Sequence, residues 1–448
     1  MSLFIVAAVV ISLASLFIGK ISIFFIGIMF LSLGHLLISF LSDRANKRVY
    51  HRIYNITFIA YALYALACRL YMIAYDYDCL LVTDTITAYI PYTEDFLKMN
   101  SFSEMWNAIY GPSGEYKYEH VGVITIYFAA VGKIMEFFDN ELYFNLQLSI
   151  IFLSSSFSVF LYKLLKGFEI SNAYKLTFIY SFVSIFFYYS SFILRDAPIA
   201  MLYCLFFCYV FDFSNKHKSL IVFILCITLT FLLRPQMGIF MFSFIAIPFI
   251  KQRFAFVNII IILVFVFIAN YIANEYNFYE IYEETMMDSE TRLQEVAANS
   301  TLNSLNSLPF GISQLAKLIF VQMSPIPCWD FIKVGEASTN VNNIMGIPRA
   351  VAVFYNYVVL VFVGYSAFNY KRMQFNNKII IAFFIVIIFL ILQSDTTEQR
   401  RMMSCYPILL VISALCYQKI NKQTRVILLR NSVILFLMMQ VFGMTKYL

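Results

Sequence analysis

The chain has 448 residues, 61% of them hydrophobic and 13% charged, with a formal net charge of +6 and a mean hydropathy of +0.76. That balance excludes a water-soluble globular protein. Apolar runs of roughly 15 to 20 residues recur along most of the length, about what a hydrocarbon core of roughly 30 Å requires. They do not alternate apolar with polar residues, which excludes a transmembrane barrel. No extended basic face stands outside the short inter-helix loops, so nucleic acid is not a partner.

The expected fold is therefore all-α: a polytopic transmembrane helical bundle of about 12 to 14 segments, forming one integral membrane domain over residues 1–448 with two larger external loops, 76–120 and 274–349. Leu3 to Gly19 and Ile21 to Leu41 read as a tight hairpin broken at Lys20, and no cleavage site follows, so the first segment should stay as an anchor. His35, inside the second run, reads as a packed, hydrogen-bonded residue rather than a ligand. Arg44, Lys47, Arg48 and Arg52 form the densest basic loop, which the positive-inside rule puts in the cytoplasm. Ile53 to Tyr75 then crosses outward, carrying Arg69 in its second half.

The loop 76–120 is acidic, with Asp76, Asp78, Asp84, Glu94 and Glu119 among its carboxylates, and is placed outside. Asp84 to Met99 should lie along the membrane surface, with Pro91 interrupting any helix there. Val121 to Phe137 and Leu142 to Tyr162 both look like spans, yet Lys163, Lys166 and Lys175 require an odd number of crossings. Val121 to Phe137, which carries Lys133 and Glu136, is the expected half-crossing segment.

Beyond it the charges agree with one another. Leu176 to Ile193 goes out to Arg195 and Asp196, Pro198 to Phe213 returns to Lys216, His217 and Lys218, and Ser219 to Leu233 goes out to Arg234. Gly238 to Ile250 reads as a short return span. Loop 274–349 is again acidic and external, with Gly311 to Met323 apolar on one side. Val351 to Phe368, Ile379 to Gln393, Met402 to Cys416 and Ile427 to Phe442 complete the spans, with Glu398, Arg400 and Arg401 in a third external cluster.

This parity puts Arg195 and Arg234 at one membrane face. Two guanidinium groups there suit a phosphate or pyrophosphate; the alternative is that each snorkels to lipid headgroups. No Walker A loop, GxSxG, HExxH or GxGxxG stands in a suitable context. What remains is acids and bases on one face, which fits group transfer from a lipid-linked phosphate: arginines neutralise the leaving group, and a carboxylate or histidine takes the proton of an attacking hydroxyl. Asp76-Tyr77-Asp78 has a spacing compatible with a divalent ion, but so short a pattern arises often by chance, and no metal or cofactor is expected. The 8 cysteines show no CxxC pair or zinc-type spacing. Cys79 and Cys328 fall in the two outer loops, where a disulfide is an option if the compartment is oxidising.

Four short stretches carry a resemblance: Asp84-Thr85-Ile86-Thr87-Ala88-Tyr89, Glu119-His120-Val121-Gly122, Arg195-Asp196 ahead of an apolar helix, and Glu398-Gln399-Arg400-Arg401 followed by Pro407. In these and in its order of segments the chain resembles the Wzy/EpsG-like bacterial surface-polysaccharide (O-antigen and exopolysaccharide) polymerases, and more loosely the GT-C membrane glycosyltransferases. It departs in having Arg234-Pro235-Gln236 where related chains carry a histidine after the Arg-Pro pair. The resemblance implies a glycosyltransferase that joins undecaprenyl-pyrophosphate-linked oligosaccharide repeat units at the periplasmic face of the bacterial inner membrane. It implies lipid-linked oligosaccharide, membrane lipid and a chain-length regulator as partners. Asp84, Glu119 and His120 are the candidate catalytic residues. Arg195, Arg234, Arg400, Arg401, Tyr89 and Gln236 are the candidates for binding pyrophosphate and glycan. Two alternatives stay open: a GT-C transferase using a polyprenyl-phosphate sugar donor, which would depend on Asp76, Asp78 or Asp84, and a non-enzymatic transporter of lipid-linked glycan.

Overall fold

The computed structural model describes residues 3–41, 46–75, 85–110, 122–139, 141–212, 216–249, 309, 312–324, 326, 328, 344–393 and 399–444. Every regular element among them is helical. In chain order these are α1 (Leu3–Ile18), α2 (Ser22–Leu41), α3 (Lys47–Tyr75), α4 (Ile90–Leu97), α5 (Phe102–Tyr110), α6 (Ile124–Met135), α7 (Leu142–Gly167), α8 (Ala173–Val183), α9 (Ile185–Tyr189), α10 (Asp196–Phe211), α11 (Lys216–Leu233) and α12 (Pro235–Ser243). Beyond residue 308 come α13 (Ile312–Met323), α14 (Ile347–Phe368), α15 (Tyr370–Met373), α16 (Asn377–Gln393), α17 (Gln399–Met402), α18 (Tyr406–Lys419) and α19 (Lys422–Met444). Among the described residues α2, α3, α7, α14 and α19 are long and apolar enough to cross a membrane, and seven further apolar helices are shorter. The chain is that of a membrane-embedded helical protein.

The chain divides into two compact units, the first made of Met1–Leu205, Leu232–Arg234 and Trp329–Ala352. Its centre is α7, the most buried of the long helices, with α2 and α3 against it and α1 against both. Gly34 of α2 lets Tyr54 of α3 approach: a Cβ there would sit 2.0 Å from the Tyr54 hydroxyl oxygen. His35 is packed, with its Nε2 2.8 Å from the Asn55 side-chain oxygen and its ring stacked on His51.

Two sets of polar contacts mark the ends of this bundle. At one end Lys166 donates to the Asn46 side chain at 2.5 Å, joining the basic loop before α3 to the basic end of α7. At the other, Arg69 of α3 pairs with Glu141 at 3.3 Å and lies over the Tyr143 ring. Glu141 also caps α7 by accepting from the Phe144 amide at 3.2 Å. Beside it the Asp139 carboxylate accepts from the Ser22 hydroxyl and amide. Because Lys163 and Lys166 lie at the Asn46 end, α7 runs from the Glu141 end toward the end that the positive-inside rule assigns to the cytoplasm.

Three sequence expectations are corrected. Residues 85–99 are not laid on a surface: a π-turn over Thr85–Tyr89 leads into α4, Phe96 and Thr93 are fully buried, and α4 packs on α6. Pro91 opens α4 rather than interrupting it, since its missing amide is an orphan of the first turn anyway. The run Leu176 to Ile193 is not one span: Ser184 turns extended, its hydroxyl accepts from the Phe186 amide, and the chain restarts as α9. Of the expected return span Gly238 to Ile250, the described part is the end of α12 followed by a 3-10 turn over Phe244–Phe249 with Pro248 inside it. Helix α6 has 12 residues, about 18 Å, well short of a hydrocarbon core.

The second unit takes in Phe206–Phe231, Pro235–Cys328 and Val353–Leu448. In it α16 packs against the 3-10 turn, α13 and α18, and the Phe240 ring lies tilted against Phe389 with centroids 4.2 Å apart. Cys328 is buried, its amide donating to Gln440; Cys79, its expected partner, lies outside the described residues.

Burial disfavours the Asp139 charge, but the hydrogen bonds from Ser22 and from the Glu141 amide hold its carboxyl below the ordinary 3.8. A depressed carboxylate pKa stabilises the fold above the ordinary value and loses that contribution as pH falls through the lowered one. Asp139→Asn should cost about 1 kcal/mol at neutral pH. The gap in thermal stability from wild type, measured in detergent, should close as pH is taken below the ordinary value.

Candidate functional site

Arg195 and Arg234 come from different segments and meet. The Arg195 guanidinium donates to the Leu233 carbonyl at 3.1 Å. The Arg234 guanidinium donates to the Asp196 carboxylate at 3.0 Å. Each arginine thus reaches the neighbour of the other. The Asp196 side chain is 3% exposed and that of Arg234 11%, so the ion pair is largely dehydrated.

The local sequence explains the placement. Leu232 and Leu233 end α11, where the last carbonyls have no partner within the helix. Arg234 cannot continue the helix readily because Pro235 follows and disfavours the helical conformation before it. Val123 donates its amide to the Leu232 carbonyl at 3.4 Å, and Arg195 takes the Leu233 carbonyl. Cations at a helix C-terminus also oppose its negative dipole end. On the other side Asp196 opens α10, where an acid suits the positive end, and the Arg195 carbonyl accepts the Ile199 amide as the first bond of that helix.

Two further segments are tied to this cluster. The Thr85 hydroxyl donates to the Ile193 carbonyl at 3.2 Å. Gly122 holds a φ of +66°, and a Cβ there would lie 3.0 Å from the Leu232 carbonyl oxygen. Asp84 directly precedes Thr85, and Glu119 and His120 shortly precede Gly122, but all three lie outside the described residues. Their described neighbours converge on the arginine cluster.

The cluster is recessed. Gly132 of α6 meets Leu142 at the Glu141 end of α7, and the Tyr127 hydroxyl reaches the Ser149 carbonyl at 3.4 Å, so α6 and α7 run antiparallel. Gly122 lies just ahead of the first residue of α6, Ile124, which is eight residues or about 12 Å along the helix from Gly132. The sequence placed the two arginines at the membrane face. The fold buries the Arg234–Asp196 pair within the first unit, beside the stretch where the chain unwinds between Ser190 and Arg195.

The other candidates are placed differently. Tyr89 is buried with its ring edge-on to Phe128, a packing position in the first unit. Gln236 is half-buried in the first turn of α12 and counts with the second unit. Arg400 is buried and Arg401 half-buried in α17, also in the second unit. Beside them is a polar node the sequence reading missed. The Gln399 carboxamide donates to the carbonyls of Val321 and Ser324, each at 2.6 Å, closing the end of α13, and Tyr406 donates to Gln322 at 2.8 Å. Asp196 as the Arg234 partner and Glu141 as the Arg69 partner went unassigned in the sequence. An acid directly after Arg195, at the head of an apolar run, was the available signal for the first. Among the described residues no group of three or more His, Cys, Asp or Glu gathers at metal-ligand distance; Asp76 and Asp78 lie outside them.

Asp196→Ala leaves the Arg234 charge buried without its counterion and should destabilise the protein by about 3 kcal/mol. Asp196→Leu combined with Arg234→Met should recover most of that loss, read as thermal stability in detergent. Gly122→Ala should lower stability by about 1 to 2 kcal/mol, because the positive φ and the Leu232 carbonyl both oppose a side chain.

No family model, no curated protein and no solved structure matches the chain.

Proposed function

We propose that the chain is a membrane glycosyltransferase with a GT-C-like arrangement. In this reading it joins undecaprenyl-pyrophosphate-linked oligosaccharide repeat units into O-antigen or a related surface polysaccharide at the outer face of a bacterial cytoplasmic membrane. The observation that carries it is the recessed pair Arg195 and Arg234, held by Leu233 and Asp196 at a meeting point of helix ends. Guanidinium is a planar fork that matches phosphate oxygens bidentately and keeps its charge when dehydrated.

In the reaction, an acceptor hydroxyl oxygen bonds to the anomeric carbon of the donor glycan. The bond from that carbon to the pyrophosphate oxygen breaks, and its electron pair leaves with the pyrophosphate. Arg195 and Arg234 counter the charge that grows there, most effectively because the site excludes water. The hydroxyl proton passes to a carboxylate or imidazole, the role we assign among Asp84, Glu119 and His120. Arg400, Arg401, Gln236 and Tyr89 remain candidates for glycan contact, Tyr89 the least favoured because its ring is packed inside. A chain-length regulator is a partner under the same reading.

A second reading, a non-enzymatic transporter of lipid-linked glycan, is favoured by one observation. Charges recessed among interrupted helices are the usual construction of a transport site at membrane depth.

Deleting the gene and running the surface glycan as a ladder separates the readings. The polymerase reading expects single repeats without long chains. Loss of one sugar from every repeat indicates a GT-C transferase with a polyprenyl-phosphate donor. Accumulation of complete lipid-linked units at the inner face indicates a transporter. Arg195→Ala and Arg234→Ala should each lower long-chain product by about two orders of magnitude at unchanged membrane abundance. Lysine at either position should rescue poorly, since a point charge lacks the fork.

A further inference from the structure

Helix α7 carries an unusual amount of polarity on its buried side. Gln147 is fully buried, and neither its side-chain nitrogen nor its oxygen has a partner among the described residues. Among the described residues the hydroxyl of Ser191, also fully buried, has none either. Buried polar atoms are almost always paired, and leaving both ends of a carboxamide unmet is costly. On the same helix Ser154 donates to the Ser190 carbonyl at 2.7 Å and Ser158 meets the Ser181 hydroxyl at 2.8 Å, whereas the Ser155 hydroxyl and the Asn145 side-chain oxygen have no partner among the described residues.

Register places Gln147. Residues 147, 154 and 158 recur at i, i+7 and i+11 and so share one stripe of α7. The Ser154 and Ser158 contacts show that this stripe faces the segment carrying Ser181 and Ser190. Gln147 lies two turns, about 10 Å, from Ser154 toward the Glu141 end. The antiparallel pairing of α6 and α7, through Gly132 with Leu142 and Tyr127 with Ser149, puts Gly122 about level with Ser154. Gln147 therefore stands between the recessed arginines and the end of the bundle that carries Glu141.

We propose that the face of α7 bearing Gln147, together with Ser191, is the recognition site for the sugar attached directly to the lipid's phosphate. This rests on the function proposed above. A carboxamide offers both a donor and an acceptor, the pairing that neighbouring sugar hydroxyls or an acetamido group require. A phosphate held by Arg195 and Arg234 presents its sugar toward the Glu141 end, one sugar ring's reach away. The site is closed in the structure described, so binding opens α7 from the segment 184–195. That segment lacks a continuous helical ladder, with breaks at Ser184 and after Ser190.

The test uses the full-length protein in nanodiscs, with Gln147→Leu and the nearly isosteric Gln147→Met. Removing an unpartnered buried carboxamide should leave thermal stability equal or higher. It should also raise the KM for a lipid-linked donor about tenfold, with kcat less affected. Stability lost with KM unchanged in both variants would overturn the inference, because Gln147 would then be satisfied within the fold. Unchanged stability with unchanged KM would overturn it as well. Wild-type protein that makes no polymer under these conditions, while retaining polyprenyl pyrophosphate, would instead overturn the polymerase reading. In that case Gln147→Met is compared by ligand-induced thermal shift, where an equal shift for wild type and variant counts against the sugar site.

Discussion

The crossed contacts of Arg195 with Leu233 and of Arg234 with Asp196 are the interaction on which the first unit's interior depends. Each does two jobs. Arg195 closes an open carbonyl at the end of α11 while sitting at the head of α10. Arg234 neutralises Asp196, which in turn complements the positive end of α10. A buried ion pair of this kind contributes little net stability, because dehydration offsets most of the attraction. Its effect is on specificity: it fixes which ends meet, and it holds two guanidinium groups close together where water is scarce.

That arrangement makes the surrounding irregular backbone tolerable. In a hydrocarbon environment every amide and carbonyl must find a partner within the protein. The chain breaks at Ser184, runs unwound from Ser190 to Arg195, and turns at Gly122 before a helix of only 12 residues. Each break is met by a specific donor. Ser154 reaches the Ser190 carbonyl, Thr85 the Ile193 carbonyl, and Val123 the Leu232 carbonyl. Continuous spans would bury the same apolar area with less risk. Interrupted ones bring helix ends, and so charge and polarity, to a depth that whole helices would keep apolar. Around α7 the helices α2 and α3 are long and unbroken, and the interrupted segment packs against both α7 and α3, where Tyr61 donates to the Ser181 carbonyl.

Much of this was legible in the residues. The first hairpin, the crossing of α3 and the direction of α7 follow from apolar run lengths and from where Lys163 and Lys166 fall. The odd parity of charges pointed to Val121 to Phe137 as the half-crossing. The pairing of Arg195 with Arg234 followed from the same counting. What hydropathy could not register is a partner far away in sequence. Asp196 beside Arg195 reads as a neighbour, yet its contact is Arg234. Glu141 reads as a turn residue, yet it holds Arg69. The run from Leu176 to Ile193 is apolar throughout, so nothing in its composition marks the break that a single serine cap makes at Ser184.

The most direct measurement is retention of polyprenyl pyrophosphate by the purified protein, followed by native mass spectrometry across a titration. The account predicts that wild type holds the lipid and that Arg195→Gln with Arg234→Gln weakens retention by about 100-fold, with polyprenyl alcohol bound weakly by both. Equal retention by wild type and the double variant, both folded and monodisperse, would contradict it.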